Sequence, residues 1–521
     1  MVMETAQGIY QNLESDRYMF LDRARDGSKL TIPFLMPPLG HSSANRLPTP
    51  YQGIGAKAVN NLASKLLLAL LPPNAPFFRL TIDRGELNKA QAELGQEQAG
   101  GLRTELERAL SEIEKSVSME IETNAIRVGA YEAIRNLIVT GNALVYMDKS
   151  GQTRVFRLDR YVVKRDPMGN ILKIVTQETI SHSALPDEIR SQYANDKEAN
   201  CDLYTAIVRE GDDTFRVWQE IKGAVLPDTE TTYTEEKLPY IALRFNRIDG
   251  ESYGRGYVEE YLGDLRSLEG LSRALLEGSA AASRLLFLNN PNGVTNSDDI
   301  VNAPNGGVIE GLAQDVVPLQ LQKYNDFRVA LETSTRVEER LSQAFLINSG
   351  VVRQAERVTA EEIRMLSQEL ESALGGLYSL QAQEFQLPLV RLLMNRMTQE
   401  KRLPKLPKGI VKPAITTGVE ALGRGNDLNR LDMFLAGANQ VVGPQAVQQV
   451  LSIPEYFKRR ATALGIETEN LVKSEEQLAQ EQQQQQMMMM ASQLGKPAIE
   501  TASAQYMQQQ EMAERAEQPT E

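Results

Sequence analysis

Histidine and cysteine are nearly absent from this chain, and their scarcity excludes several kinds of chemistry. The 521 residues include two histidines, His41 and His182, and one cysteine, Cys201. A structural zinc site takes about four Cys or His ligands, so these three residues cannot supply one of the usual kind. A single cysteine cannot form a disulfide within the chain, which suits a reducing compartment.

Long apolar runs and a net positive charge are also missing. The most concentrated apolar stretch, residues 66–71, ends at two prolines and is far shorter than the roughly 20 residues that span a bilayer. We therefore expect no transmembrane segment, and residues 1–5 lack the features of a secretory signal, so we expect no export by that route. The net charge of −13 argues against a tight grip on nucleic acid, which needs clustered Lys and Arg.

The usual signatures of phosphate, metal and nucleophile chemistry do not occur either. The sequence has no Gly-x-x-x-x-Gly-Lys-Ser/Thr loop and no His-Glu-x-x-His helix, which argues against common ATPases and zinc proteases. Residues 254–256, Gly-Arg-Gly, predict a turn or helix start rather than a dinucleotide loop. Residues 181–183, Ser-His-Ser, do not position a triad by adjacency alone, and Asp298 and Asp299 predict a solvated turn. We expect no catalytic residue, cofactor or metal.

What is present has the composition of a folded protein. Hydrophobic residues make up 42% and charged residues 24%, and the length allows roughly three compact units. Apolar residues at helical spacing predict a helix over 51–71, which the two prolines end, and another over 102–138. The period then changes, and residues 143–250 predict β-hairpins around turns at 166–170 and 211–213. Val155 and Phe156 are assigned to the strand before the first turn, and Trp218 to the core.

Two long helices bracket an insertion in the second half. Apolar stripes predict helices over 257–283 and 326–345, and residues 289–325 between them are rich in Asn, Pro and Gly. Since the bracketing helices must meet at their ends, this pattern predicts a stalk with a tip. Small residues at 278–283 would let a neighbouring helix approach closely.

A third long helix carries a weak point. Thr359 opens it with a capping box, and Gly375 and Gly376 lie in its middle, where each costs roughly 1 kcal/mol relative to alanine. We therefore expect a kink, and Pro388 should limit or bend the helix further on. Three arginines lie in the polar segment before this helix and at its start, where they could contact DNA phosphates. The residues alone favour a solvated loop in which nearby acids balance the charge of these arginines. These arginines are Arg353, Arg357 and Arg364.

Four sequence blocks resemble the portal, or head-to-tail connector, of short-tailed podoviruses of the T-odd (Autographiviridae) type. The blocks are YQGIGAKAVNNLASKL at 51–66, DGESYGRGYVEEYLGDLRSLE at 249–269, ERVTAEEIR at 356–364 and EFQLPLVR at 384–391. The resemblance covers most of the chain and is weakest in the insertion and the Gln/Met-rich tail.

The resemblance implies an α+β, mainly helical fold with long stem helices, a β-rich wing, a small clip insertion and a helical crown. The implied parts are a wing over 1–250, a stem helix over 251–284, a clip over 285–325, a second stem helix over 326–347, a tunnel loop over 348–358, a kinked long helix with return to the wing over 359–425, a crown over 426–470 and a low-complexity tail over 471–521.

The resemblance also implies a structural role. The chain would form a homo-dodecamer at one capsid vertex that conducts double-stranded DNA during packaging and ejection and docks terminase and then tail proteins. Further implied partners are the major capsid protein, scaffolding protein, tail adaptor and internal core proteins, with no membrane, in a virion assembled in host cytoplasm. Arg353, Arg357 and Arg364 would face the DNA, and Gly375 and Gly376 would kink the tunnel-lining helix.

Charge placement suggests how such a passage would avoid capturing DNA. Acids outnumber Arg266 and Arg273 in the first stem helix, so a ring of these helices would repel duplex phosphates. Two other interpretations stay open at this point. The chain could be a packaging-associated nuclease or NTPase, or a scaffold or filament component that never meets DNA.

Overall fold

Helices and antiparallel sheets alternate along this chain. The computed structural model describes residues 4–42, 44–73, 77–81, 96–185, 200–283, 286–319, 324–347, 360–374, 376–403, 414–417, 424–443, 456, 457, 460 and 487. Contacts divide the chain into two units, Met1–Leu422 and Gly423–Glu521, which are described separately. No helix in these ranges is long and apolar enough to cross a membrane.

The first unit begins with helices packed around an apolar core. Their bounds are Ala6–Leu30 (α1), Ile54–Leu70 (α2), Gln96–Thr123 (α3) and Ile126–Thr140 (α4). The helix predicted over 51–71 is confirmed as α2, and its apolar stripe is buried except for Ile54, which is half-buried. The single helix predicted over 102–138 is wrong, because Ala125 adopts φ +50° and separates α3 from α4. A left-handed residue cannot continue a right-handed helix.

Eleven of the strands form two antiparallel sheets and a short pair. These strands are Phe78–Thr81 (β1), Asn142–Met147 (β2), Thr153–Phe156 (β3), Tyr161–Arg165 (β4), Ile171–Ser181 (β5), Asn200–Arg209 (β6), Thr214–Ile221 (β7), Ala224–Val225 (β8), Thr231–Thr234 (β9), Tyr240–Arg244 (β10) and Ala414–Thr417 (β13). One sheet has the order β10-β2-β3, the larger has β4-β5-β6-β7-β8 with β9 also beside β7, and β1 pairs with β13.

Both predicted hairpins occur. Residues 166–170 join β4 to β5, residues 210–213 join β6 to β7, and Trp218 is buried as expected. One assignment was wrong, because Val155 and Phe156 belong to β3 of the other sheet. Gly256 precedes a helix that starts at Tyr257, so the prediction of a turn or helix start at 254–256 is confirmed.

A helix pair and a small insertion follow. The elements are Tyr257–Glu260 (α5), Leu262–Ala282 (α6), Leu286–Asn289 (β11), Ser297–Asn302 (α7), Val316–Leu319 (β12) and Tyr324–Ala344 (α8). Helices α6 and α8 pack together, and β11 pairs with β12. At Gly278 an added Cβ would lie 2.4 Å from the Phe327 ring, so a small residue is needed there.

The sequence predictions for this part need two corrections. The single helix predicted over 257–283 is interrupted at Tyr261, between α5 and α6, where φ is −108° and ψ is 13°. The solvated turn predicted at Asp298 and Asp299 is instead the first turn of α7, although both residues are exposed as expected. The Asn296 side chain accepts the Asp298 N–H at 3.1 Å and caps that helix.

The last part of the first unit is a broken helical segment. Its bounds are Ala360–Leu374 (α9), Leu377–Gln381 (α10), a π-helical turn over Ala382–Gln386, and Leu387–Gln399 (α11). Leu366, Leu370 and Leu374 are buried, and α9 packs on α2. Pro388 lies in the first turn of α11, where proline is tolerated, so it does not break that helix. Thr359 of the predicted capping box lies outside the described residues.

The described part of the second unit is mainly one helix, Arg424–Val442 (α12). The Tyr456 hydroxyl donates to Asp432 Oδ1 at 2.5 Å, and Arg460 Nη1 donates to the same oxygen at 3.1 Å. Of residues 471–521, the predicted low-complexity tail, only residue 487 is described.

Candidate functional site

The helix pair α6 and α8 is fixed at its base to the N-terminal part of the chain. Arg266 on α6 pairs with Asp26 on α1 at 2.5 Å. The Glu269 carboxylate accepts the N–H of Tyr51 at 3.0 Å and the N–H of Gln52 at 3.2 Å. Carboxylates bound to backbone N–H groups form stronger hydrogen bonds than neutral acceptors. The base of the pair is therefore held by charged contacts as well as by apolar packing.

Nearly all the arginines of these two helices are neutralised within the chain. Helices α6 and α8 carry seven acids and five arginines and no lysine. The ion pairs are Arg266 with Asp26 (2.5 Å), Arg273 with Glu277 (2.8 Å), Arg336 with Glu332 (2.7 Å) and Arg340 with Asp264 (2.6 Å). Among the described residues, Arg328 has no carboxylate partner. The exposed acids Glu338 and Glu339 also lack partners there, so the pair carries little free positive charge.

Side chains from other helices cap the C-terminal end of α8. The Tyr257 hydroxyl donates to the Ala344 carbonyl at 3.0 Å. Asn61 Nδ2 donates to the carbonyls of Phe345 and Leu346 at 3.0 and 3.1 Å. Lys65 Nζ also donates to the Leu346 carbonyl, at 2.9 Å. Terminal carbonyls lack partners within a helix, and a cation there also interacts favourably with the helix dipole.

Burial shifts the pKa values of two of the capping groups. Desolvation lowers the pKa of Lys65, against the smaller opposing effect of Glu369. Desolvation raises the pKa of Tyr257, and its hydrogen bond with Tyr261 adds to this. The rings of Tyr257 and Tyr261 lie 5.1 and 5.4 Å from that of Phe345. This aromatic cluster joins the cap to the base of the helix pair.

The long helix after the predicted tunnel loop is interrupted at the glycine pair. Helix α9 ends at Leu374 and α10 begins at Leu377, and between them Gly376 has φ +88°. Residues with a side chain rarely adopt this conformation. Just beyond the break, the Tyr378 hydroxyl donates to the Ala69 carbonyl at 3.0 Å. The interruption is thus anchored directly to the end of α2.

A buried carboxylate organises the insertion between α6 and α8. Asp315 accepts the N–H of Val294 at 2.9 Å, and the N–H and hydroxyl of Thr295 at 3.2 and 3.1 Å. At Gly293, an added Cβ would lie 2.5 Å from that carboxyl group. Several apolar side chains of the insertion are exposed, namely Phe287, Leu288, Val294, Val301, Val308, Ile309, Leu312 and Val317. Exposed apolar groups of this kind are typical of an interaction surface.

The candidate residues named from the sequence lie mostly beyond what the structure describes. Arg353, Arg357 and Gly375 lie outside the described residues, and only the backbone of Arg364 is described, within α9. Sequence reasoning missed Lys65, Asn61, Tyr257 and Asp315 as positioning residues. For Asn61 and Lys65, the sequence signal was a polar side chain within the apolar pattern of α2. Within the described residues, no group of His, Cys, Asp and Glu side chains could hold a metal ion.

These features combine a charge-paired helix pair with a small insertion that exposes apolar side chains. The family model described as "Bacteriophage head to tail connecting protein" matches residues 3–472. The chain therefore belongs to this family and is a structural connector subunit rather than an enzyme. The resemblance drawn from the four sequence blocks is confirmed.

Curated relatives agree with this assignment. The portal protein of Escherichia phage T7 is 40% identical over 486 residues, covering 91% of this chain and 89% of the relative. The portal protein of Pseudomonas phage phiKMV is 30% identical over 488 residues, covering 88% of this chain and 92% of the relative.

Solved structures show a more distant likeness. A chain in "Virion of native gene transfer agent (GTA) particle" has a TM-score of 0.34 and 12% identity, with 80% of this chain and 90% of that chain covered. A chain in "Neck of empty GTA particle computed with C6 symmetry" has a TM-score of 0.36, with the same identity and coverage.

Proposed function

We propose that this connector subunit forms a closed ring of twelve copies at one capsid vertex and conducts double-stranded DNA during packaging and ejection. The curated relatives named portal protein support this role. The observation that carries the channel is the charge arrangement of α6 and α8, in which four of the five arginines are paired with carboxylates of the same chain.

This pairing would let DNA slide past the helices. Protein affinity for duplex DNA comes largely from Lys and Arg that neutralise phosphates and release counterions. An arginine that is already paired with a carboxylate has fewer free hydrogen-bond donors and less net charge with which to bind a phosphate. Glu338 and Glu339, which have no partner among the described residues, would add repulsion if they line the channel. A ring of such helices would therefore surround the duplex without capturing it.

The other parts of the chain take their roles from this arrangement. Helices α6 and α8 would be the stem, and residues 285–325 the clip that docks terminase and then tail proteins. The exposed apolar side chains of the insertion support a docking role. Residues 348–358 would be the tunnel loop, with Arg353, Arg357 and Arg364 towards the DNA and the Gly375-Gly376 break in the tunnel-lining helix.

The major capsid protein, scaffolding protein, tail adaptor and internal core proteins would be its further partners in the virion. Residues 1–250 would form the wing and residues 426–470 the crown.

Electron-microscope class averages of the purified chain test the ring. We expect closed rings with an axial hole about 20 to 40 Å wide, enough for a duplex. Open filaments would instead support a scaffold component. Metal-dependent DNA cleavage or ATP turnover by the pure chain would favour a packaging enzyme.

A separate experiment tests the gating role of the tunnel loop. Replacing Arg353 and Arg357 with alanine should reduce retention of the packaged genome, because these side chains would then no longer contact phosphates. Unchanged retention in particles that contain normal rings would refute the gating role and leave the ring proposal intact.

A further inference from the structure

Three arginines converge on the turn between β4 and β5, away from the helix pair. Arg165 ends β4, Arg244 ends β10, and Arg247 follows β10 three residues later. Arg165 Nη1 donates to the Gly169 carbonyl at 2.9 Å. A Cβ added at Gly169 would lie 3.0 Å from Arg247 Cζ and 3.2 Å from Arg244 Nη2. All three guanidinium groups therefore pack around one residue.

The cluster holds more positive than negative charge. Glu384 pairs with Arg244, accepting from Nη2 at 2.7 Å and from the backbone N–H at 3.2 Å. Asp166, in the same turn, directs its carboxylate to Asn170, whose N–H and Nδ2 both donate at 2.8 Å. Burial, and then the charge of Arg244, lower the pKa of Arg165 to about 10. Three guanidinium groups and two carboxylates, Glu384 and Asp166, leave an excess of one positive charge.

Donors in this cluster are left without acceptors. The Nε atoms of Arg165 and Arg244 are buried and have no hydrogen-bond partner among the described residues, and Arg244 is only 3% exposed. Arg247 is exposed and donates through Nη2 to the Met168 carbonyl. Buried charged donors are costly unless an acceptor of opposite charge meets them. The exposed Arg247 gives the cluster a side open to solvent.

We propose that these three arginines form a binding site for a small oxyanion of the phosphate type. An oxyanion would offset the excess positive charge, and guanidinium groups bind tetrahedral oxyanions through paired, charge-assisted hydrogen bonds. The anion would enter beside Arg247 and be held between it and the more deeply placed Arg165 and Arg244. The site joins β4, the turn, β10 and the π-helical turn that carries Glu384, so its occupation would stabilise the contact between them.

Binding of orthophosphate to the full-length protein tests the site. Isothermal titration calorimetry at constant ionic strength, with chloride as the balancing anion, should show saturable binding to the parent protein. The R247Q variant should bind at least about tenfold more weakly, because a hydrogen bond to a charged group contributes about 1.5–3 kcal/mol. R247K keeps the charge but loses the planar fork, so its affinity should lie between the two.

R154Q is the matched control, since Arg154 on β3 pairs with Glu178 on β5, outside the cluster. It should bind orthophosphate as the parent does. Equal binding by the parent and R247Q, or equal weakening in R154Q, would overturn the proposal and indicate a general salt effect. Circular dichroism of each variant shows whether the fold is kept.

A duplex oligonucleotide at the same phosphate concentration distinguishes the source of the oxyanion. We expect no displacement of orthophosphate by the duplex, because Arg165 and Arg244 lie too deep for a DNA backbone. Displacement that is lost in R247Q would assign the same site to nucleic-acid phosphates instead. Because the site lies outside α6 and α8, either result is independent of whether the ring conducts DNA.

Discussion

Freeing one arginine of the α6 and α8 pair should make the proposed ring bind DNA more tightly, if paired charges let the duplex slide. Arg336 Nη2 lies 2.7 Å from Glu332 Oε1, and both side chains are largely exposed. Glu332→Gln keeps the size of the side chain, removes its charge and leaves Arg336 with its full positive charge. Glu338→Gln is the matched control on the same helix, since Glu338 has no partner among the described residues. Both variants change the net charge equally, so only the pairing differs.

The size of the effect follows from counterion release. Each additional phosphate contact makes the slope of log K against log salt steeper by about 0.9. Between 0.2 M and 0.05 M salt, this amounts to about a threefold gain in affinity for every freed arginine that reaches a phosphate. An exposed ion pair contributes only about 0.2–1 kcal/mol to stability, so both variants should assemble like the parent.

Fluorescence anisotropy of a labelled duplex, titrated with rings over this salt range, measures the change. The Glu332→Gln ring should bind DNA more tightly than the parent, with a steeper slope of log K against log salt. The Glu338→Gln ring should gain less affinity and keep the slope of the parent. Equal gains in both variants would refute the reasoning, because net charge alone would then control the interaction. Rings of both variants must first show the same size in electron micrographs.

Three further changes test the fold around the site. Gly376→Ala should lower the unfolding temperature, because alanine at φ +88° costs about 1–2 kcal/mol and no neighbouring atom lies within 4 Å to add a clash. Asp315→Asn should speed hydrogen exchange over residues 290–319 while rings still form, since a buried group that loses its partner costs about 1–3 kcal/mol. Burial raises the pKa of Tyr253 to about 12. The stability that the neutral Tyr253 side chain contributes is therefore fully present below pH 10 and is lost as the pH rises through 12. Urea unfolding at increasing pH should therefore show about 2–3 kcal/mol less alkaline destabilisation in Tyr253→Phe than in the parent.

Local sequence signals predicted many of the elements that build the site. The apolar stripe of α2, the turn residues of both hairpins and the two helices around the insertion depend on neighbours a few positions apart. The predicted helix boundaries were wrong where no local sequence signal marks the end of a helix. Ala125 is neither glycine nor proline, yet it ends α3 with a positive φ. Tyr261 separates α5 from α6 where its ring packs with those of Tyr257 and Phe345.

The sequence by itself determined the family, through four blocks that resemble podovirus portals, and the acidic balance that suits a passage for DNA. Tertiary structure alone decided which charges are free. Lys65 reaches the carbonyl of Leu346, and Arg244 reaches Glu384, across distances in sequence that no local pattern spans. Because a charge is neutralised only by what folding brings within a few ångströms, composition predicts the net charge. It cannot predict that four of the five arginines of α6 and α8 are paired while those around Gly169 are left in excess.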